Sequence, residues 1–146
     1  RAVPELSIVL NHVGGLLRVG PYAAHLDEVQ AMWRAGIDAL AACPNVTVKV
    51  GGFGMPRYGF DWAMREVPVG SEELAADMAP WLTYTIERFG PERCMFESNF
   101  PVDKVSFSYG VIWNAFKRIA AAYSADEKAN LFHRSAARFY GLPAVG

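Results

Sequence analysis

The chain has 146 residues, about one ordinary domain, and its 52% hydrophobic and 20% charged residues are the balance of a soluble globular protein. A formal net charge of −1 excludes the basic footprint of a nucleic-acid or anionic-lipid binder, and no apolar run approaches the roughly 18 residues of a membrane-spanning helix. Arg1-Ala2-Val3-Pro4 carries no signal-peptide pattern, and Cys43 and Cys94 form neither a CxxC pair nor a Cys/His metal spacing, so a reducing, cytoplasmic setting with two buried thiols is expected.

Leu6 to His12 (LSIVLNH) reads as a first strand. Tyr22 to Ala42 carries Leu26, Val29, Trp33, Ile37 and Leu40 at spacings of three and four, which predicts a helix stopped by Pro44-Asn45. Asn45 to Gly52 (NVTVKVGG) predicts a second strand. The irregular stretch from Gly51 to Gly70 is long enough to carry function, and its GGFG run lacks the strand–turn–helix setting of a phosphate cradle. Ser71 to Phe89 predicts a helix with Ser71 as its N-cap, acids in its first turn and Gly90-Pro91 as its stop. Cys94 to Phe100 (CMFESNF) predicts a third strand, and Ser106 to Tyr123 another helix. The last helix opens on a capping box, Ser124 with Glu127, and runs to Gly141-Leu142-Pro143.

This β-α-β-α-β-α-α order implies an α/β fold with a parallel sheet covered by helices. Side chains alternate along strands. Val46, Val48 and Val50 share one face of the second strand, and Thr47 and Lys49 the other. In the third strand Met95, Glu97 and Asn99 align, opposite Phe96 and Ser98; in the first, Ile8, Leu10 and His12 align. His12, Lys49, Glu97 and Asn99 are thus expected on one common side near the strand ends. Strands lining a barrel mouth show that pattern, whereas a doubly covered open sheet is apolar on both faces.

LNHVGG, CPNVTVKVGG, FGPERCMFESNFPVDK and LFHRSAARFYGL, in this order and spacing, resemble the C-terminal half of the family 2 amidohydrolases, the lactonase and decarboxylase branch of that superfamily. The resemblance covers nearly the whole chain. It implies that residues 1–146 are one partial domain of a (β/α)8 TIM barrel, strands six to eight with their helices, whose N-terminal half lies outside this sequence. The full-length protein is then expected to hydrolyse a small carboxylated, cyclic metabolite, as a lactone or related ester. A non-oxidative decarboxylase and a non-catalytic ligand-binding barrel are the alternatives. The only partner expected is a small-molecule substrate, with neither nucleic acid nor membrane; homo-oligomerisation of the full-length protein stays open. Residues 1–146 alone are expected to be inactive and prone to associate, since an opened barrel leaves a sheet edge and apolar helix faces uncovered.

The resemblance also implies roles. His12 matches the His that the family places on its sixth strand, and Asn99 falls where it places an Asp on its eighth. Both are candidate ligands for a divalent metal such as Zn²⁺, an expectation that Asn99 weakens because an amide is a neutral donor. Asn99 cannot serve as a base near neutral pH, so Glu97 is the first candidate proton acceptor and Asp103 the second. Lys49 is expected to pair with Glu97 as an internal salt bridge or, alternatively, to tune Glu97 and bind substrate. Arg57, beside Tyr58, suits a substrate carboxylate; a solvated loop arginine is the alternative. Taken without the resemblance, His12 reads as a hydrogen-bonded imidazole at a strand end. His25 and His133 fall in predicted helices and read as surface or packing residues.

Overall fold

The computed structural model describes residues 3–143. Three short parallel strands lie in sequence order: β1 (Ile8–Leu10), β2 (Val46–Gly51) and β3 (Cys94–Glu97). Ile8 and Leu10 lie opposite Val46 and Val48, and Val48, Val50 and Gly51 lie opposite Cys94, Phe96 and Glu97. Paired residues point to the same side of a sheet. One face is therefore the apolar set around Val48, Val50, Cys94 and Phe96, buried under helices. The other carries Thr47, Lys49, Met95 and Glu97. This division into a helix-covered face and a polar face is the one expected of a barrel wall.

The helices are α1 (Leu26–Ala41), α2 (Ser71–Phe89), α3 (Tyr109–Ile119), α4 (Ala125–Ala129) and α5 (Ser135–Tyr140), the last two joined by a π turn, Asn130–Arg134. Helix α2 buries Leu74, Met78, Leu82, Ile86 and Phe89, spaced by threes and fours along one face. On the helix-facing side of β3, Phe96 stacks on Phe116 of α3 with centroids 4.5 Å apart and meets Phe132 of the π turn at 4.9 Å. Among the described residues, no helix is long and apolar enough to cross a membrane.

Several boundaries differ from expectation for local reasons. β1 stops at Leu10 rather than His12, and β3 at Glu97 rather than Phe100. The chain then turns through left-handed backbone at His12 (φ 53°), Val13 (φ 45°) and Asn99 (φ 53°). The first helix begins at Leu26, preceded by a 3-10 turn at Gly20–Ala24. Gly70, not Ser71, is the N-cap of α2, and the Ser71 hydroxyl accepts from Arg118 Nε at 3.2 Å. Helix α3 starts at Tyr109 under Ser108, whose Oγ accepts from the Val111 N–H at 3.3 Å. Ser106 is committed elsewhere, donating to the Gly54 carbonyl at 2.6 Å. The capping box at Ser124 forms as predicted, with Glu127 accepting from the Ser124 N–H at 2.7 Å. Cys94 is buried, which pushes its thiol pKa up, whereas Cys43 is only partly buried, a correction to the expected pair of buried thiols.

Arg93 ties the helix layer together just before β3. Its Nε donates to the Phe89 carbonyl at 2.9 Å, Nη1 to Cys43 at 3.0 Å and Nη2 to Ala41 at 2.9 Å. One guanidinium thereby satisfies carbonyls left over at the C-terminal ends of α1 and α2. Arg93→Met removes every donor while keeping an apolar stem. It is expected to cost about 1–3 kcal/mol, the penalty for stranded buried acceptors, seen as a lower thermal unfolding midpoint; an unchanged midpoint would contradict this role.

Candidate functional site

Glu97 ends β3 on the polar face, its side chain 13% exposed. A carboxylate withdrawn this far from water needs partners. Oε1 lies 2.5 Å from His12 Nδ1 and accepts from the His12 backbone N–H at 3.1 Å. Oε2 lies 3.9 Å from Lys49 Nζ, so the expected ion pair is present. Lys49 shares that face of the sheet, and its ammonium also stands 5.8 Å from the Tyr140 ring centroid.

His12 does not reach this place by strand alternation. Ile8 and Leu10 face the helices with Val46 and Val48, so a continued strand would carry His12 there too. The left-handed residues His12 and Val13 turn the chain and bring the imidazole to Glu97. The alignment of His12 with Ile8 and Leu10 is thus corrected. Two hydrogen bonds pin the turn: Tyr58 Oη donates to the His12 carbonyl at 2.9 Å, and Trp33 Nε1 to the Val13 carbonyl at 2.8 Å. Tyr58 is fully buried, and burial pushes its phenol up to about 12 against the opposing charge of Arg57.

The glycines after β2 make room for this cluster. A Cβ on Gly51 would lie 2.8 Å from Glu97 Cγ, one on Gly52 2.7 Å from His12 Cγ, and one on Gly54 2.6 Å from Asp103 Cβ. Gly52 also has φ +76°, which L side chains rarely adopt. The GGFG run is the space in which the opposing side chains stand. Neither that role nor the one of Tyr58 is visible along the chain, because the contacts cross roughly 40 residues or more of sequence.

Asn99 is half-buried, and its Nδ2 donates to Asp103 Oδ1 at 2.7 Å. Asp103 is fully buried, and its Oδ2 accepts from the Gly54 N–H at 2.9 Å. Burial raises the Asp103 pKa, with the Gly54 and Asn99 hydrogen bonds opposing. Both oxygens are engaged out of reach of solvent, so Asp103 does not stand as the alternative proton acceptor. Arg57 is exposed, with its guanidinium 5.8 Å from the Tyr58 ring centroid, at the rim of the cluster rather than within it. His25 is exposed and 3.3 Å from Glu28, and His133 is exposed as well.

Among the described residues, no three His, Cys, Asp or Glu side chains converge as a metal site. His12 nonetheless fits one ligand position in kind. An imidazole held at Nδ1 by a carboxylate is the usual arrangement of a metal-ligating histidine, with Nε2 as the donor. An apolar groove of about 700 Å³, lined by Leu10, Leu16, Trp33 and Leu40 among others, lies between β1 and α1; none of Lys49, Glu97 and Asn99 lines it.

The amidohydrolase family model matches residues 1–142. An uncharacterized protein of Sinorhizobium fredii, y4mH, is 39% identical over 140 residues, which are 96% of this chain and 40% of that protein. The L-fucono-1,5-lactonase of Burkholderia multivorans is 33% identical over 142 residues, 93% of this chain and 43% of that enzyme. A crystal structure of an amidohydrolase from Burkholderia multivorans with bound zinc superposes with a TM-score of 0.74 at 32% identity, over 92% of this chain and 44% of that one. The chain thus spans about two fifths of the length of the curated relatives it matches. The likeness identifies the three strands and their helices as the C-terminal portion of a (β/α)8 barrel.

Gly52→Ala is expected to push the His12 ring off Glu97 and to cost about 1–3 kcal/mol through a disfavoured φ and a clash. Gly36→Ala, in α1 with open space around it, is expected to stabilise by up to about 1 kcal/mol. Thermal unfolding of the two variants checks the pair; equal shifts would contradict the close-approach argument.

Proposed function

This chain belongs to the amidohydrolase family, and we propose that it supplies the His12–Glu97 side of a hydrolytic site acting on a lactone or related ester of a small carboxylated, cyclic metabolite. The observation that carries the reading is the 2.5 Å contact between His12 Nδ1 and Glu97 Oε1. A carboxylate at Nδ1 fixes the ring and its tautomer and leaves Nε2 for a water or a substrate oxygen. In lactone hydrolysis, water attacks the ring carbonyl and loses a proton as the new C–O bond forms. The ring oxygen gains a proton as the old bond breaks. His12 Nε2 takes the first proton and returns it to the leaving oxygen, while Glu97 stabilises the imidazolium between the two steps. Glu97 Oε1, engaged with His12, acts through the imidazole rather than on water directly. Lys49 offsets the other carboxylate oxygen. Asn99 offers a neutral carbonyl oxygen to the substrate, and Arg57 at the rim suits a substrate carboxylate. The lactonase named among the relatives supports the choice of ester.

When bound, a divalent metal such as Zn²⁺ would polarise the scissile carbonyl. In place of that proton transfer, His12 Nε2 together with the Asn99 side-chain carbonyl oxygen are the donors in this chain that would hold it. Metal ligation and proton transfer at Nε2 exclude each other. The proton-transfer reading predicts that His12→Gln leaves the metal content of the complete protein unchanged.

The test is a panel of sugar lactones, carboxylated lactones and simple esters, assayed on the complete protein. Turnover of at least one lactone is expected, and Glu97→Gln is expected to lower kcat by about 10²- to 10⁴-fold with little change in KM. No turnover of any lactone or ester, or a Glu97→Gln variant as active as the wild type, would contradict the reading.

A further inference from the structure

Asn99 has two distinguishable faces: a carbonyl oxygen that only accepts and an NH₂ that only donates. Which of them the site presents decides whether it offers a cation-seeking or an anion-seeking group. Three observations bear on that choice. Asp103 is 0% exposed, and its Oδ2 is fixed as an acceptor by the Gly54 backbone N–H at 2.9 Å. Its Oδ1 faces the Asn99 amide nitrogen at 2.7 Å. The Asp103 N–H closes back on the Asn99 backbone carbonyl at 3.1 Å, so the two residues belong to one tight turn.

We propose that Asp103 is a positioning residue that selects the orientation of the Asn99 amide, turning its NH₂ inward and its Oδ1 toward the site. With Oδ2 held by the Gly54 N–H and Oδ1 2.7 Å from the Asn99 nitrogen, the flipped amide would set its oxygen against a carboxylate oxygen in a buried place. Gly54 makes this possible twice. Its N–H holds the far carboxylate oxygen, and its missing side chain leaves the space that Asp103 occupies. The Ser106 hydroxyl holds the Gly54 carbonyl at 2.6 Å, so the peptide groups on both sides of the Gly54 Cα are fixed. Asn at position 103 has almost the same shape but no such polarity. Its own oxygen can face Gly54 and its NH₂ can face Asn99, which then flips and presents NH₂ to the site. The consequence for catalysis rests on the hydrolase reading above; the orientation itself does not.

The experiment uses the complete protein, labelled with ¹⁵N in its asparagine side chains. The Asn99 NH₂ signals are assigned by their loss in Asn99→Ala. In the wild type they are expected to exchange slowly with water, as buried hydrogen-bonded protons do. Exchange as fast as that of a free asparagine overturns the proposal without any further variant. Steady-state kinetics on the lactone panel then compare wild type, Asp103→Asn, Asn99→Ala and the double variant. Asp103→Asn is expected to lower kcat about tenfold when Asn99 is present and less than about twofold on the Asn99→Ala background. Equal losses on both backgrounds overturn the proposal and leave Asp103 a brace between two loops. A wild type that turns over no lactone or ester sinks the hydrolase reading, and the exchange measurement still decides the orientation.

Discussion

A carboxylate at the end of a strand, withdrawn from water and shared by the ring and backbone N–H of His12 and the nearby Lys49 ammonium, organises this part of the molecule. Glu97 holds the ring and the backbone N–H of His12 with one oxygen and stands near Lys49 with the other. Removing a single partner from such a group costs far more than the group's net contribution, because the remaining charge stays buried. The left-handed turn at His12 and Val13 follows from this need. So does the glycine run opposite, which must leave the imidazole and the carboxylate their space.

The same logic extends outward by one layer. Tyr58 reaches from the loop after β2 to the His12 carbonyl, and Trp33 reaches from α1 to Val13. Asp103 and Ser106, in the segment after β3, grip the two ends of the Gly54 residue. The loops at the C-terminal ends of β1, β2 and β3 are therefore tied to each other rather than draped over the sheet. At the other end Arg93 gathers carbonyls of two helices, so the sheet is clamped at both ends.

Much of this was legible along the chain, and the rest was hidden for identifiable reasons. The Val46-Val48-Val50 alternation assigned the faces of β2 correctly because the strand stays regular to Gly51. The same rule misled at β1. That strand ends after three residues, and a positive φ follows, which alternation cannot foresee. Ser124 and Glu127 form their box because both partners are local, whereas Ser71 and Ser106 are drawn away by Arg118 and Gly54 from distant segments. GGFG could only be set aside as a phosphate cradle, since a glycine chosen for a neighbour's bulk has no signature of its own. Asp103 looked like a spare base until its burial and its two engaged oxygens were known.

The proposed function requires Glu97 to hold His12 at Nδ1 and leave Nε2 free for chemistry. The most direct measurement is the tautomer of His12 in the complete protein, read from ¹⁵N shifts and long-range ¹H–¹⁵N couplings of the ring, in the wild type and in Glu97→Ala. A proton on Nδ1, with a far-downfield resonance that disappears in the variant, is the predicted result. A neutral ring carrying its only proton on Nε2, in spectra that Glu97→Ala leaves unchanged, would contradict the claim.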